Sequence, residues 1–339
     1  MPNYGAVLQA YGLANYLAGR GHVVRTIDYR QPALEDVYRL RWKFPPPFNH
    51  WLRLRRNAAF VQGLLPLSAK RYRDVDEFGP DVGDYDAFIT GSDQVWFTGP
   101  VQGYDPMYFL DFPAPGKRKI SYAASVGGTT DFGAVTNRVR SALGGFDHIG
   151  VRDSHSAAMI APLAPKPPVQ VVDPVFLCDF ARLLDGPVPL AEPYLLVFGD
   201  FNGPRRAALQ SAIRASGLST VVSLQYPCAD ATHRVAAPSP ADWLRYFRHA
   251  SFVVTSYFHG TAIAAKFERP FVAIPTPGRR IKVATMLEWM SLAPRCIIEE
   301  PTAAQVEVTV RQPIDWSVPR QRLAQNIAGS QSFLARALA

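Results

Sequence analysis

What most restricts the fold of this 339-residue chain is an alternation, repeated twice, of short apolar β-type runs with helical segments. In the first series Asp86–Thr90, Lys119–Val126, His148–Val151 and Val169–Val172 read as strands, with helices predicted over Phe132–Leu143 and Ser154–Ile160. In the second, strands over Tyr194–Phe198, Thr220–Leu224, Phe252–Thr255 and Phe271–Ile274 enclose helices over Arg205–Ser216, Ala241–His249 and Thr261–Phe267. Strands separated by helices predict mostly parallel sheets covered on both faces. The Pro-rich stretch Leu184–Pro193 divides the two series, giving an N-terminal domain over 1–183 and a C-terminal domain over 193–339. A helix is expected over Tyr4–Arg20, where Val7, Ala10, Tyr11, Ala14, Leu17 and Ala18 share one face, followed by a strand over His22–Tyr29. A last helix from Val318 to Leu338 fits either domain.

Composition narrows the function classes. Apolar residues at 48% and charged residues at 19% exclude general disorder. The net charge of +8 favours anionic partners, whether phosphorylated metabolite, nucleic acid or acidic membrane. Cys178, Cys228 and Cys296 have no metal-type spacing and read as reduced thiols, and no metal site is expected. No run is long enough to span a bilayer, so a cytoplasmic protein is expected. The absence of a P-loop, G-x-G-x-x-G, G-x-S-x-G and H-E-x-x-H argues against NTPases, nucleotide dehydrogenases, serine hydrolases and zinc proteases.

One segment, Asp36–Arg56, interleaves Arg39, Arg41, Lys43, Arg53, Arg55 and Arg56 with Tyr38, Trp42, Phe44, Phe48 and Trp51. That pattern suits a helical excursion with a solvated basic face, a lid over a phosphorylated ligand, or peripheral contact with an anionic membrane surface. No nucleic-acid module accompanies it, and nucleic acid is not an expected partner.

In open α/β sheets ligands bind beyond the carboxyl ends of the strands. Two polar clusters fall there. After Thr90, Gly91-Ser92-Asp93-Gln94 places a hydroxyl, a carboxylate and an amide at a strand tip, where Asp93 could accept a proton from a sugar hydroxyl or merely cap a turn. After Thr255, Ser256-Tyr257-Phe258-His259-Gly260-Thr261 opens a helix whose free N–H groups attract phosphate or carboxylate. His259 could donate to that anion or act as a general acid, or be structural. Arg152, and the Arg279, Arg280 and Lys282 group, are further anion-binding candidates, with surface pairing or a solvated loop as the alternatives.

The ordered set Asn3–Tyr11, Ile27–Tyr29, Tyr85–Trp96, Tyr108–Phe112, Lys119–Ser125, Val151–Asp153, Asp173-Pro174, Phe258–Ala262 and Ile314–Trp316 resembles the polysaccharide pyruvyl transferase family over almost the whole chain. The resemblance implies two Rossmann-like domains in a GT-B-like arrangement, with an acceptor-side N-terminal domain, a phosphoenolpyruvate-side C-terminal domain and the active site between them. It implies pyruvyl transfer from phosphoenolpyruvate to sugar hydroxyls, giving a ketal and phosphate. The acceptors are sugars or lipid-linked saccharide precursors of cell-surface polysaccharides, and work at the inner face of the membrane is expected. Phosphoenolpyruvate is a donor substrate, and no cofactor is expected. His259 and Asp93 are the expected catalytic pair. Asn3, Tyr4, Gly5, Ser92, Gln94, Arg152, Ser256, Tyr257, Gly260, Thr261, Arg279, Arg280 and Lys282 are expected to bind substrate.

Two departures from the family pattern bear on the expectations. Many members carry arginine where this chain has Tyr257, so Arg152 or the Arg279–Lys282 loop must compensate, or the donor differs. Members also have a strand just before Asn-Tyr-Gly; with Met1-Pro2 as the only preceding residues in this sequence, either the start lies further upstream or that first strand is missing, and poor solubility or low activity is expected of the chain as written. A nucleotide-sugar-dependent GT-B glycosyltransferase and a non-catalytic sugar- or phosphate-binding relative are the competing readings.

Overall fold

The computed structural model of the chain describes residues 3–32, 48–99 and 102–339. In chain order, the elements of the first half are α1 (Tyr4–Ala18), β1 (Thr26–Tyr29), α2 (Phe48–Leu64), β2 (Leu67–Tyr72), β3 (Ala87–Thr90), β4 (Arg118–Ala124), α3 (Thr136–Gly144), β5 (His148–Val151), α4 (Ser154–Ile160) and β6 (Val169–Gln170). The second half holds β7 (Tyr194–Phe198), α5 (Pro204–Ser216), β8 (Thr220–Leu224), β9 (His233–Val235), α6 (Pro240–His249), β10 (Phe252–Thr255), α7 (Phe258–Lys266), β11 (Phe271–Ala273), α8 (Arg280–Trp289), α9 (Ala303–Arg311) and α10 (Ser317–Leu338).

Among the described residues every strand pairing is parallel. The second half forms one five-stranded sheet in the order β11-β10-β7-β8-β9. All five residues of β7 and all four of β10 are buried, as central parallel strands covered on both faces require. The first half holds a four-stranded sheet, β3-β4-β5-β6, and a separate two-stranded pair, β1-β2. Only Thr26–Tyr29 of the expected strand over His22–Tyr29 forms, and Val23 is 90% exposed.

The final helix ties the halves together. Phe333, Leu334 and Ala337 of α10 pack with Leu13 and Leu17 of α1 and Ile120 and Tyr122 of β4. Ser330 Oγ accepts a hydrogen bond from Val172 N at 2.9 Å. Near its start, Arg320 makes a two-point pair with Glu268 of the second half at 2.8 and 2.7 Å.

Residues 36–47 of the basic–aromatic segment lie outside the described residues. Its remainder enters α2, where Phe48 and Trp51 are exposed, Arg55 lies over the Trp51 ring and Arg56 donates to the Ala237 carbonyl of the second half. Among the described residues, no helix is long and apolar enough to cross a membrane. The three cysteines are free and partly buried, and burial pushes the Cys296 thiol up to about 12.

Candidate active site

The site is assembled at the carboxyl ends of β3, β5 and β10, where three loops and the first turn of α1 meet. Asn3 caps α1 through Oδ1, which accepts from Ala6 N at 3.3 Å, and its Nδ2 donates to Asp93 Oδ2 at the same distance. Asp93 itself sits at φ 78°, in the left-handed region that non-glycine residues rarely enter. That backbone is over-determined: Ser125 N donates to the Asp93 carbonyl at 3.0 Å, in a bridge to the end of β4. Strain held by surrounding structure is a mark of functional positions. Here it turns the carboxylate back toward the cleft, where the side chain is 24% exposed.

Asp173 is the hub of the cluster, and the expected substrate-contact and catalytic residues did not include it. Its Oδ1 accepts from Val175 N at 3.1 Å, capping the turn at Pro174–Phe176. Its Oδ2 accepts from Ser92 Oγ at 2.9 Å and Arg152 Nη1 at 3.0 Å, and lies 3.6 Å from His259 Nε2. Burial pushes the Asp173 carboxyl up, but His259 and Arg152 outweigh it and hold the group far below the usual carboxylate range. The turn carrying Asp173 is fixed by α1: a Cβ on Gly12 would stand 2.6 Å from the Pro174 carbonyl oxygen, so only glycine permits this approach.

Arg152, 5% exposed, lies between the two carboxylates, with Nη2 3.5 Å from Asp93 Oδ1. Its guanidinium also rests on the Phe258 ring, 4.3 Å from the centroid. Nε and Nη2 nevertheless lack hydrogen-bond partners, and so does Nε2 of His259, itself 8% exposed. The imidazole is clamped from the other side by α1, because a Cβ on Gly5 would fall 2.1 Å from His259 Nδ1. This close approach gives the glycine of the Asn-Tyr-Gly stretch its purpose.

His259 is the second residue of α7, whose N-cap residue Tyr257 supplies no side-chain cap. Its first-turn amides therefore carry the partial positive charge of an uncapped helix N-terminus. Lys282, in the first turn of α8, adds a further cation: burial, with repulsion from Arg152 and Arg279, pushes its ammonium down to about 8 against the pull of Asp93. The same cations act on Asp93, where burial raises the carboxyl but Arg152, His259 and Lys282 prevail and hold it below the usual range.

The remaining expected contacts divide. Arg279 lies over the Tyr257 ring, 4.4 Å from its centroid. Arg280 begins α8 with a buried Nε lacking a partner. Four others are taken up by the scaffold. Tyr4 is buried, donates to the Pro238 carbonyl, and is pushed up to about 12 by burial. Ser256 Oγ accepts from Asp200 N at 3.1 Å, and Thr261 Oγ1 donates to the Tyr257 carbonyl at 3.0 Å. Gly260 permits close packing, since a Cβ there would stand 2.3 Å from Thr255 Oγ1. The Gln94 side chain lies against Gly127.

The cluster thus joins two carboxylates, an arginine, an imidazole and an ammonium from both halves of the chain. No group of three metal-ligating side chains occurs among the described residues. In fold the chain is similar to a solved UDP-N-acetylglucosamine 2-epimerase from Rickettsia bellii, with a TM-score of 0.53, 11% identity, and coverage of 98% of this chain and 92% of that one. A spinosyn rhamnosyltransferase complexed with thymidine diphosphate aligns at a TM-score of 0.46 and 13% identity, over 100% of this chain and 98% of its own. Parallel sheets in two Rossmann-like units place the chain among proteins of GT-B-like architecture. No curated protein matches the sequence. The model of the polysaccharide pyruvyl transferase family matches residues 3–277, which span the whole cluster except Arg279, Arg280 and Lys282; this chain belongs to the polysaccharide pyruvyl transferase family.

Proposed function

We propose that the protein moves a pyruvyl group from phosphoenolpyruvate onto two hydroxyls of a sugar acceptor, forming a cyclic ketal and releasing phosphate, in the making of a cell-surface polysaccharide. One observation carries the reading beyond family membership. Arg152 and His259, from opposite halves of the chain, are both more than nine-tenths buried beside an uncapped helix N-terminus, and their carboxylate partners leave donors without a hydrogen bond: Arg152 Nε has none, and Arg152 Nη2 and His259 Nε2 reach Asp93 and Asp173 only at 3.5 and 3.6 Å. Buried polar groups are ordinarily satisfied, so these nitrogens await an anion with several oxygens.

The residues divide the work as follows. His259, 3.6 Å from the Asp173 carboxylate, delivers a proton to the methylene carbon of the enol phosphate. The carbon bearing phosphate becomes electrophilic, and a sugar hydroxyl adds to it. Asp93 accepts that hydroxyl's proton. Phosphate then leaves, and the second hydroxyl adds to close the ketal. Of the two hydroxyl protons lost, one replaces that given to the methyl group and one leaves with phosphate, so the ledger of atoms balances. Arg152, Lys282 and the amides of α7 stabilise the departing charge.

Loading also prepares the base. Asp93 is held a weak base by the cations around it. A phosphate dianion set among those cations offsets them, and the proton affinity of Asp93 rises once donor is bound. The acceptor is a sugar or lipid-linked saccharide, and the basic helix α2 fits work at an anionic inner membrane face.

The test is incubation with phosphoenolpyruvate and a panel of saccharide acceptors, following phosphate by colour assay and the acceptor by mass spectrometry. Acceptor-dependent phosphate with equal pyruvyl gain on the acceptor is expected. Phosphoenolpyruvate left intact with every acceptor, alongside turnover of a nucleotide sugar, would overturn the proposal.

A further inference from the structure

The two residues that lead into α7 each carry a guanidinium on an aromatic ring, but the two arginines are differently placed. Arg152, on Phe258, is committed to Asp173 and Asp93. Arg279, on Tyr257, forms no ion pair with a carboxylate among the described residues; its Nη1 donates to the neutral Thr276 Oγ1 at 2.7 Å. Its platform is fixed from below, because the Tyr257 ring stacks on Tyr226 with centroids 5.0 Å apart and planes 17° apart. Tyr226 in turn packs on Phe198 at the end of β7. A guanidinium is thereby held in one place, near enough to Lys282 to repel it, without an opposite charge of its own.

Its neighbours increase the need for one. Lys282 stands within the repulsive field of both Arg279 and Arg152, and Asp93 and Asp153 are the carboxylates that act on it. Like charges drawn together repel one another, and a multiply charged anion set among them relieves what the carboxylates leave uncompensated. Planar guanidinium suits two-point binding of phosphate oxygens, and stacking on a ring orders it in advance.

We infer that Arg279, held on the Tyr257–Tyr226 stack, is the outer binding residue for the phosphate-monoester group of the donor, closing over it from the side opposite Arg152. Tyr257 is the positioning residue for this guanidinium. The charge that a tyrosine at 257 cannot supply comes from the residue lying on its ring. The inference rests on the proposed enol phosphate donor, but its ligand chemistry, a phosphate dianion, is tested apart from turnover.

The experiment measures the affinity for inorganic phosphate by calorimetry, and the KM for phosphoenolpyruvate, in Arg279→Ala, Arg279→Lys and Tyr257→Leu. Circular dichroism and a thermal melt accompany each variant. Arg311→Ala, which removes an exposed arginine paired with Glu307 on α9, controls for loss of one charge. Arg279→Ala is expected to weaken phosphate binding and raise KM at least about thirtyfold, in the range of one charged hydrogen-bonding pair. Arg279→Lys and Tyr257→Leu are expected to fall between it and wild type, because each spoils the stacked placement. The control should match wild type. Unchanged phosphate affinity in a folded Arg279→Ala protein overturns the assignment, as does a wild type that binds no phosphate. If phosphate binding depends on Arg279 while phosphoenolpyruvate is never consumed, the assignment stands and the pyruvyl-transfer reading fails.

Discussion

Lys282 should trade stability for function, and replacing it by methionine measures the trade. The ammonium is pushed from its ordinary 10.5 to about 8, first by burial and then by Arg152 and Arg279. A depressed cation binds fewer protons folded than unfolded between those two values. Stability therefore rises with pH across that window, and the penalty is fully present below it. The difference, 10.5 − 8, at about 1.4 kcal/mol per unit sets a ceiling near 3 kcal/mol. Partial exposure of the side chain screens this, leaving about 1–2 kcal/mol. Lys282→Met keeps the apolar stem and removes the charge. Urea unfolding at pH 7 should show the variant about 1–2 kcal/mol more stable than wild type, with the gap narrowing as the pH rises from about 8 toward 10.5. A fixed phosphate concentration should narrow the gap too, by stabilising wild type more than the variant, which binds phosphate more weakly. A less stable variant at pH 7, or parallel pH profiles for the two proteins, would refute the burial argument.

The other predictions concern the centre of the cluster. Asp93→Asn suits the left-handed backbone that asparagine tolerates, so folding should survive while phosphate release from phosphoenolpyruvate falls about a hundredfold or more; His259→Ala should do the same. Gly5→Ala drives a methyl group into the imidazole; about a hundredfold loss of turnover is expected, with a stability cost of about 1–3 kcal/mol by thermal melt. Asp173→Asn leaves Arg152 short of a buried partner and should cost about 3–5 kcal/mol in denaturant unfolding. Because the folded carboxyl is held low, wild type keeps this contribution above about pH 4 and loses it on further acidification, whereas the variant lacks that acid limb.

The sequence disclosed the second sheet well because β7 and β10 are unbroken apolar runs, the pattern of a strand buried on both faces. Strand β2 escaped notice: Leu67–Tyr72 carries Lys70 and Arg71 on an edge with a mixed burial pattern, and apolar periodicity is weak there. Helix α8 was hidden behind Arg279–Lys282, which read as a basic loop because no capping side chain announces the helix. Helix α7 begins at Phe258 rather than Thr261 for the same reason.

At the site, Asp93 and His259 stood out because each follows a recognisable strand. Asp173 did not, since its only local signal is the dipeptide Asp173-Pro174, and its importance comes from partners 81 and 21 residues away. The contact of Gly5 with His259 spans the two halves and leaves no trace in local pattern. Likewise, nothing in the spacing chose between Arg152 and Arg279 as the charge beside Tyr257. That choice follows from which arginine is already paired with carboxylates.

The proposed reaction begins with a single binding event, an enol phosphate gripped between the two halves of the chain. Calorimetric titration of phosphoenolpyruvate into wild type and His259→Ala tests it without needing the acceptor. Saturable one-site binding to wild type is predicted, weakened at least about tenfold in the variant by loss of one charged contact. No binding to folded wild type, or equal affinity in the two proteins, would contradict it.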